Sequence, residues 1–250
     1  MSRKTLALIG GTGLNELGEL IEVMDLDTPF GKPSAPLQMI RDDELRILFL
    51  PRHGSPHTIP PHCVNYRANI RALKDAGADH ILAVSAVGGI GSHCSPGSLH
   101  ALDQVVDYTW GRQHTYSDSG EVNLQHVDFS YPYEGPLRNL LLQVARESDI
   151  RLNDGGCVGV FQGPRLESAA EIQRAKGDGC TLAGMTSMPE ASLARECGLD
   201  YAGIGVVSNW GAGVIGGTIS EDDIAQTLKD PMSHVRKLIR GISEKLAGSA

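Results

Sequence analysis

Thr5-Leu6-Ala7-Leu8-Ile9-Gly10-Gly11-Thr12-Gly13 is the stretch that decides the fold class. An apolar run too short for a helix passes directly into glycines, which reads as a buried strand ending in a tight turn. The same phrase returns along the chain. Leu45 to Leu50 ends at Pro51-Arg52-His53-Gly54, His80 to Ser85 ends at Gly88-Gly89, and Tyr201 to Val207 ends at Ser208-Asn209-Trp210-Gly211. Cys157 to Phe161 reads as a further strand, and Leu99 to Val106 alternates weakly as another. Helical patterns lie between them. Asn65 caps one carrying Tyr66, Ile70 and Leu73, and Pro136 opens one with Leu137, Leu140, Leu141, Val144 and Ala145 on a single face. Glu167 to Lys176 reads as a third helix, and Ser187-Met188-Pro189-Glu190 as a capping box for a fourth ending at Cys197. Ser220 with Asp223 caps the last, whose apolar face is Ile224, Leu228, Val235, Leu238 and Ile242 and which Pro231 is expected to kink. Residues 109–135 lack periodicity and read as a long loop. The alternation predicts an α/β fold: one domain over 1–250, with a mixed, mainly parallel sheet flanked by helices. In such sheets ligands gather at the carboxyl ends of strands, so the turns at 10–13, 51–54, 85–89 and 208–211 are expected to converge on a site.

Bulk properties narrow the function. With 41% hydrophobic and 21% charged residues the composition is that of an ordinary globular chain, not a disordered one. A net charge of −8 repels a nucleic-acid backbone, so no nucleic-acid partner is expected. No apolar run reaches membrane-span length, and Leu6 to Ile9 is too short for a signal-peptide core. No membrane partner follows. Cys63, Cys94, Cys157, Cys180 and Cys197 are odd in number and widely spaced, which fits reduced thiols in the cytoplasm.

Two turns suit an anion. Gly10-Gly11-Thr12-Gly13 offers backbone N–H groups and a hydroxyl; as a dinucleotide fingerprint it fails, because Glu16 stands where a third glycine belongs. Arg52-His53-Gly54 places a guanidinium at a strand end, where its fork can grip a phosphate through two parallel hydrogen bonds. His53, His57 and His62 match no zinc spacing, so no metal is expected there, and no Gly-x-Ser-x-Gly elbow marks a serine hydrolase.

Six stretches then carry a resemblance. Ile9 to Leu14, Asp27-Thr28-Pro29-Phe30-Gly31-Lys32-Pro33-Ser34, Arg52-His53-Gly54, Val64-Asn65-Tyr66-Arg67-Ala68-Asn69, Gly163-Pro164-Arg165 and Gly184 to Glu190 resemble the trimeric purine nucleoside phosphorylases. The likeness is greatest to their 5′-methylthioadenosine and 5′-methylthioinosine branch. It implies reversible phosphorolysis of a purine nucleoside by inorganic phosphate as co-substrate, with neither cofactor nor metal. It further implies that Thr12, Arg52, His53, Ala86 and Thr186 hold phosphate, that Met185 covers the ribose, and that Leu166 packs on the purine. His126 matches a histidine that relatives lend to a neighbouring subunit, implying a homotrimer, or a hexamer, with shared sites.

Departures from the pattern bear on the substrate. Where adenine-specific relatives have an aspartate, this chain has Ser208-Asn209, and an amide can donate to O6 while accepting from a protonated N7. Where those relatives have a serine, Glu167 stands, and a carboxylate can accept the N1–H of a 6-oxopurine. Asn209, Glu167 and His53 are thus the candidate catalytic residues, with Gly211 beside them. A 6-oxopurine (methylthio)nucleoside is the expected substrate, and 5′-methylthioadenosine the alternative. The start of the last helix supplies the 5′ wall in the family, falling here on Glu221 or Ile219. A rival of another class is a nucleotide-binding protein without phosphorolysis.

Overall fold

A computed structural model describes residues 4–11, 14, 17–42, 45–118, 123–216 and 219–248. Among the described residues, eleven strands form one sheet: β1 (Leu6–Gly10), β2 (Glu19–Met24), β3 (Leu37–Asp42), β4 (Leu45–Pro51), β5 (His80–Gly89), β6 (Leu99–Ala101), β7 (Gln104–Asp107), β8 (Leu152–Asp154), β9 (Cys157–Val160), β10 (Leu182–Gly184) and β11 (Asp200–Trp210). The described residues also form five α-helices, α1 (Tyr66–Asp75), α2 (Pro136–Glu147), α3 (Ala169–Gly177), α4 (Ser187–Glu196) and α5 (Glu221–Gly248), and a short 3-10 turn at Pro61–Cys63.

The path through the sheet is β2-β3-β4-β1-β5-β10-β9-β7, with β11 on the other edge of β5 and β6 and β8 beyond it. β4, β1, β5 and β11 are parallel neighbours, so their carboxyl ends lie side by side. Antiparallel pairing is confined to β2 with β3, β3 with β4, β5 with β10 and β6 with β11. The sheet is therefore mixed and mainly parallel, as expected.

Both faces are buried, and successive residues of one strand serve opposite cores. Ala7, Ile9, Leu48 and Leu50 pack with Ile70 and Leu73 of α1 and Ala191 and Ala194 of α4. Leu6, Leu8, Ile47 and Phe49 pack with Leu137, Leu141 and Val144 of α2 and Val235, Leu238 and Ile242 of α5. Asn65 caps α1 by accepting from the Ala68 N–H at 3.1 Å, and its amide donates to the Phe30 carbonyl at 2.8 Å. The buried Asn69 accepts from the Ser34 N–H at 2.7 Å, so α1 anchors the 27–34 segment at two points.

Several sequence expectations are corrected. Strands β2, β3, β8 and β10 were not anticipated; β2 leaves Leu20 and Val23 exposed, so its apolar residues mark no buried face. Leu99 to Val106 divides into β6 and β7 at Leu102-Asp103. α3 begins at Ala169 behind a Ser168 capping box, which frees Glu167 from the helix. α4 has Thr186 as its N-cap and makes no side-chain capping bond; Glu190 is committed elsewhere. α5 holds Pro231 within a single helix, where the sequence placed it.

Candidate active site

A cavity of about 400 Å³ opens where β1, β4, β5 and β11 end. Its lining includes Gly11, Arg52, His53, Ala86, Leu166, Glu167, Met185, Thr186, Ser208 and Asn209. Residues from six separate strand ends and loops thus meet in one space.

Arg52, the last polar step off β4, is only 2% exposed. Its Nε and Nη2 donate to the two Glu190 carboxylate oxygens at 2.7 and 2.8 Å, Nη1 donates to the Val84 carbonyl at 3.0 Å, and Nη2 to the Ile9 carbonyl at 3.4 Å. Four of its five N–H donors are therefore taken, and the paired edge that the sequence reading assigned to phosphate is occupied by Glu190. Burial opposes the guanidinium charge, but the adjoining carboxylate outweighs it and holds the arginine more firmly protonated than usual. Tyr201 completes the cluster by donating to Glu190 at 2.9 Å, and burial pushes its phenol well up. Glu190 and Tyr201 are site-supporting residues that sequence reasoning missed, the first because its spacing mimicked a helix cap.

His53 brings its Nδ1 to 2.8 Å from the Ile59 carbonyl. A carbonyl only accepts, so Nδ1 carries the proton and Nε2 is bare. Burial, assisted by the neighbouring Arg52 charge, lowers the imidazole pKa to about 4, and the ring is neutral near pH 7. His57 stacks on it at 4.5 Å between centroids. Thr186, buried, pairs its hydroxyl with Ser85 at 3.1 Å across the end of β5.

The opposite wall carries polar side chains. β11 has an irregularity between Val207 and Asn209, which pair with Val87 and Gly88 and leave Ser208 as an extra residue. Two consecutive side chains thereby line the cavity. Asn209 Nδ2 donates to the Trp210 carbonyl at 2.8 Å, which fixes the amide orientation, and Ser208 Oγ donates to Asn209 Oδ1 at 2.7 Å. One N–H and one oxygen lone pair of the amide are left over. A Cβ at Gly88 would stand 3.4 Å from Gly211 Cα and 3.5 Å from Asn209 Nδ2, in ordinary van der Waals contact, so Gly88 lies against the turn that carries Asn209. Glu167 is half-buried, and burial, with Glu171 adding repulsion, raises its carboxyl above the ordinary glutamate range. Met185 sulfur sits where a side chain on Gly163 would reach, at 2.6 Å, and Gly163 has φ +64°. A side chain there would be strained and would displace Met185.

Arg112 is the main residue the sequence did not disclose. It lies in the aperiodic 109–135 segment, yet is 9% exposed and donates to the carbonyls of Met185 (2.9 Å), Met188 (2.6 Å), Phe161 (3.3 Å) and Gln162 (2.9 Å). It also contacts Tyr66 Oη at 3.2 Å. One cation thus ties the chain leading to Glu167 to the chain bearing Met185 and Thr186.

The remaining expectations divide. Thr12 and the Glu221 side chain lie outside the described residues. Gly211 is buried behind Asn209 and, like the exposed His126, is not in the lining. Ile219 is not in it either; Ile224, Leu228 and Met232, one helical turn apart along α5, provide the apolar wall. Their signal was the period of α5 itself, whose apolar face the sequence reading traced through Ile224 and Leu228 but not Met232.

Known proteins share this fold. The profile of the phosphorylase superfamily matches residues 5–244. A relative from Xylella fastidiosa named "Probable S-methyl-5'-thioinosine phosphorylase" is 49% identical over 85% of this chain and 91% of its own. A "Probable 6-oxopurine nucleoside phosphorylase" from Dictyoglomus turgidum is 35% identical over 96% of this chain and 91% of its own. Among solved structures, the methylthioadenosine phosphorylase from Schistosoma mansoni in complex with adenine superposes with a TM-score of 0.91 at 31% identity, covering 99% of this chain and 93% of that one. With the matched profile spanning nearly the whole length, and the cavity formed at its strand ends, the chain belongs to the phosphorylase superfamily.

Proposed function

We propose that the chain catalyses reversible phosphorolysis of a 6-oxopurine nucleoside, with 5′-methylthioinosine the preferred substrate. The observation that carries the base assignment is the pair Asn209 and Glu167 on one cavity: an amide with one donor and one acceptor left over, and a carboxylate. Oδ1 accepts from N7–H, Nδ2 donates to O6, and Glu167 accepts from N1–H. Adenine supplies neither an acceptor at position 6 nor an N1–H.

In the reaction the C1′–N9 bond breaks and its electron pair passes to the purine, which takes a proton from solvent at N7. A phosphate oxygen then forms the new bond to C1′. Phosphate is the nucleophile, so neither cofactor nor metal enters the scheme. Preorganised donors at the developing charges supply the largest catalytic terms, about 3–4 kcal/mol for each one lost. The phosphate end is assigned to Thr12, Arg52, His53, Ala86 and Thr186. With its fork turned to Glu190, Arg52 acts there through a single remaining N–H and through its position, and His53, bare at Nε2, accepts the hydroxyl proton of monohydrogen phosphate. Met185 and Leu166 enclose the sugar and base. The apolar Ile224, Leu228 and Met232 favour a methylthio group over a hydroxyl at the 5′ end.

A homotrimer, or a hexamer built from trimers, completes the reading, with His126 entering a neighbour's site. The exposed Trp110, Leu124 and Tyr131 support it, because an assembly would cover them. Free thiols at all five cysteines fit a cytoplasmic setting. The test compares rates on methylthioinosine, methylthioadenosine and inosine with and without phosphate. Methylthioinosine should lead, and no base should be released without phosphate. Preference for methylthioadenosine would overturn the base assignment, and phosphate-independent release the reaction itself.

A further inference from the structure

The loop leaving β5 and the strand β6 that follows it carry three groups for which phosphorolysis has no use. His93, Cys94 and His100 each present one ligating atom, and the three atoms lie within 4.8 Å of one another. Cys94 and His100 are 0% exposed, whereas His93 is open to solvent. Two imidazoles and a thiolate are the donor set of borderline-soft divalent cations.

His100 is oriented as such a ligand would be. Its Nδ1 lies 3.2 Å from the Gly155 carbonyl, which only accepts, so Nδ1 carries the proton and Nε2 is bare. Two donors, each also serving a backbone carbonyl, meet that buried lone pair, and a cation would replace them. Ser98 Oγ is at 3.1 Å but already donates to the Ser95 carbonyl at 2.6 Å, and the Asn153 amide is at 3.4 Å. A tetrahedral zinc site brings its ligand atoms to about 3.3–3.6 Å of each other. The 4.8 Å span closes to that by a shift of about 1 Å, which the exposed His93 can supply.

We propose that His93, Cys94 and His100 form a three-ligand site for a zinc-class divalent cation, with water on the exposed side of His93 as fourth ligand. None of the three lines the active-site cavity. The site nonetheless adjoins its scaffold: Gly97 N donates to the Val207 carbonyl at 2.8 Å, and Val207 N to the Ser98 carbonyl at 3.0 Å. Ser208 and Asn209 follow directly. A bound cation would hold the 90–98 loop against the strand end that presents them.

The test uses full-length, chelator-treated protein titrated with Co²⁺ and then Zn²⁺. The expected result is one equivalent of bound cobalt with a single thiolate-to-cobalt absorption band, displaced by zinc. The band should vanish in Cys94→Ser and persist in Cys157→Ser, and His93→Gln, at an exposed position, should weaken cobalt binding about tenfold or more. A wild-type protein without the band, a band surviving Cys94→Ser, or unaltered affinity in His93→Gln would each overturn the proposal. Should Cys94→Ser fail to fold, the His93→Gln comparison decides.

Discussion

At the scale of single residues, discrimination between bases rests on which protons Asn209 and Glu167 carry. Asn209→Asp turns the O6 donor into an acceptor, which suits an amino group. Relative activity on adenine over hypoxanthine nucleosides should rise by about 10²-fold or more, since sites built on buried hydrogen bonds reject a mismatched partner strongly. Competition assays with both substrates measure this, and an unchanged ratio would place specificity elsewhere. Glu167 adds a pH signature. Its carboxyl titrates above the ordinary glutamate range because it is buried. Only the ionised form accepts N1–H, so kcat/KM for a 6-oxopurine should be full above that raised pKa and fall as pH drops through it. Glu167→Gln should remove this acid limb while lowering the plateau; a limb that survives belongs to another group. His53, neutral down to about pH 4, does not compete for the same window. The sequence exposed residues that stand together in motifs: Arg52-His53, Ser208-Asn209 and Gly163 to Glu167. It concealed those whose role depends on distant partners. Glu190 lies 138 residues from the arginine it neutralises, and nothing local separates that role from a helix cap. His93, Cys94 and His100 follow no metal-binding spacing, because β6 folds back to bring the last of them beside the other two.

At the scale of elements, two buried cations hold the cavity's walls in register, in different ways. Arg52 is joined to a carboxylate, and removing the charge on one side leaves the other uncompensated. Glu190→Gln should cost about 3 kcal/mol or more, read as a lower urea midpoint with an unchanged m-value. Arg112 has no carboxylate partner among the described residues and spends its donors on backbone carbonyls. Lysine cannot reproduce that planar fork. Arg112→Lys and Arg112→Ala should both raise KM for the nucleoside severalfold, through a loosened join between the Glu167 and Met185 segments. A change in stability with unaltered KM would reduce Arg112 to a structural tie. Its segment was illegible beforehand because loop backbone has no period to read. α5 shows the opposite case: its period was plain, but Ile224 and Leu228 line a cavity while Leu228 also packs on the core, and patterning alone does not separate an apolar wall from an apolar interior.

At the scale of the whole molecule, the alternation of apolar strands with helices was enough to predict the fold, because a parallel sheet buried on both sides leaves unbroken hydrophobic runs. The short or half-exposed strands β2, β3, β8 and β10 escaped for the same reason: their neighbours, not their own composition, make them strands. Assembly is the remaining property at this scale. Native mass spectrometry should report three copies or six, and dilution to monomer should abolish activity if His126 serves an adjacent chain. A fully active monomer would remove that role.

The extra residue at Ser208 has a last implication for how this enzyme can change. A regular strand sends alternate side chains to opposite sides, so neighbours in sequence cannot both address one ligand. The irregularity in β11 lifts that restriction and sets a hydroxyl beside the amide it aims. Selectivity can then drift by replacing either side chain, while losing one residue from this strand would cost the reader or its guide. Divergence at this spot is open to substitution and closed to deletion.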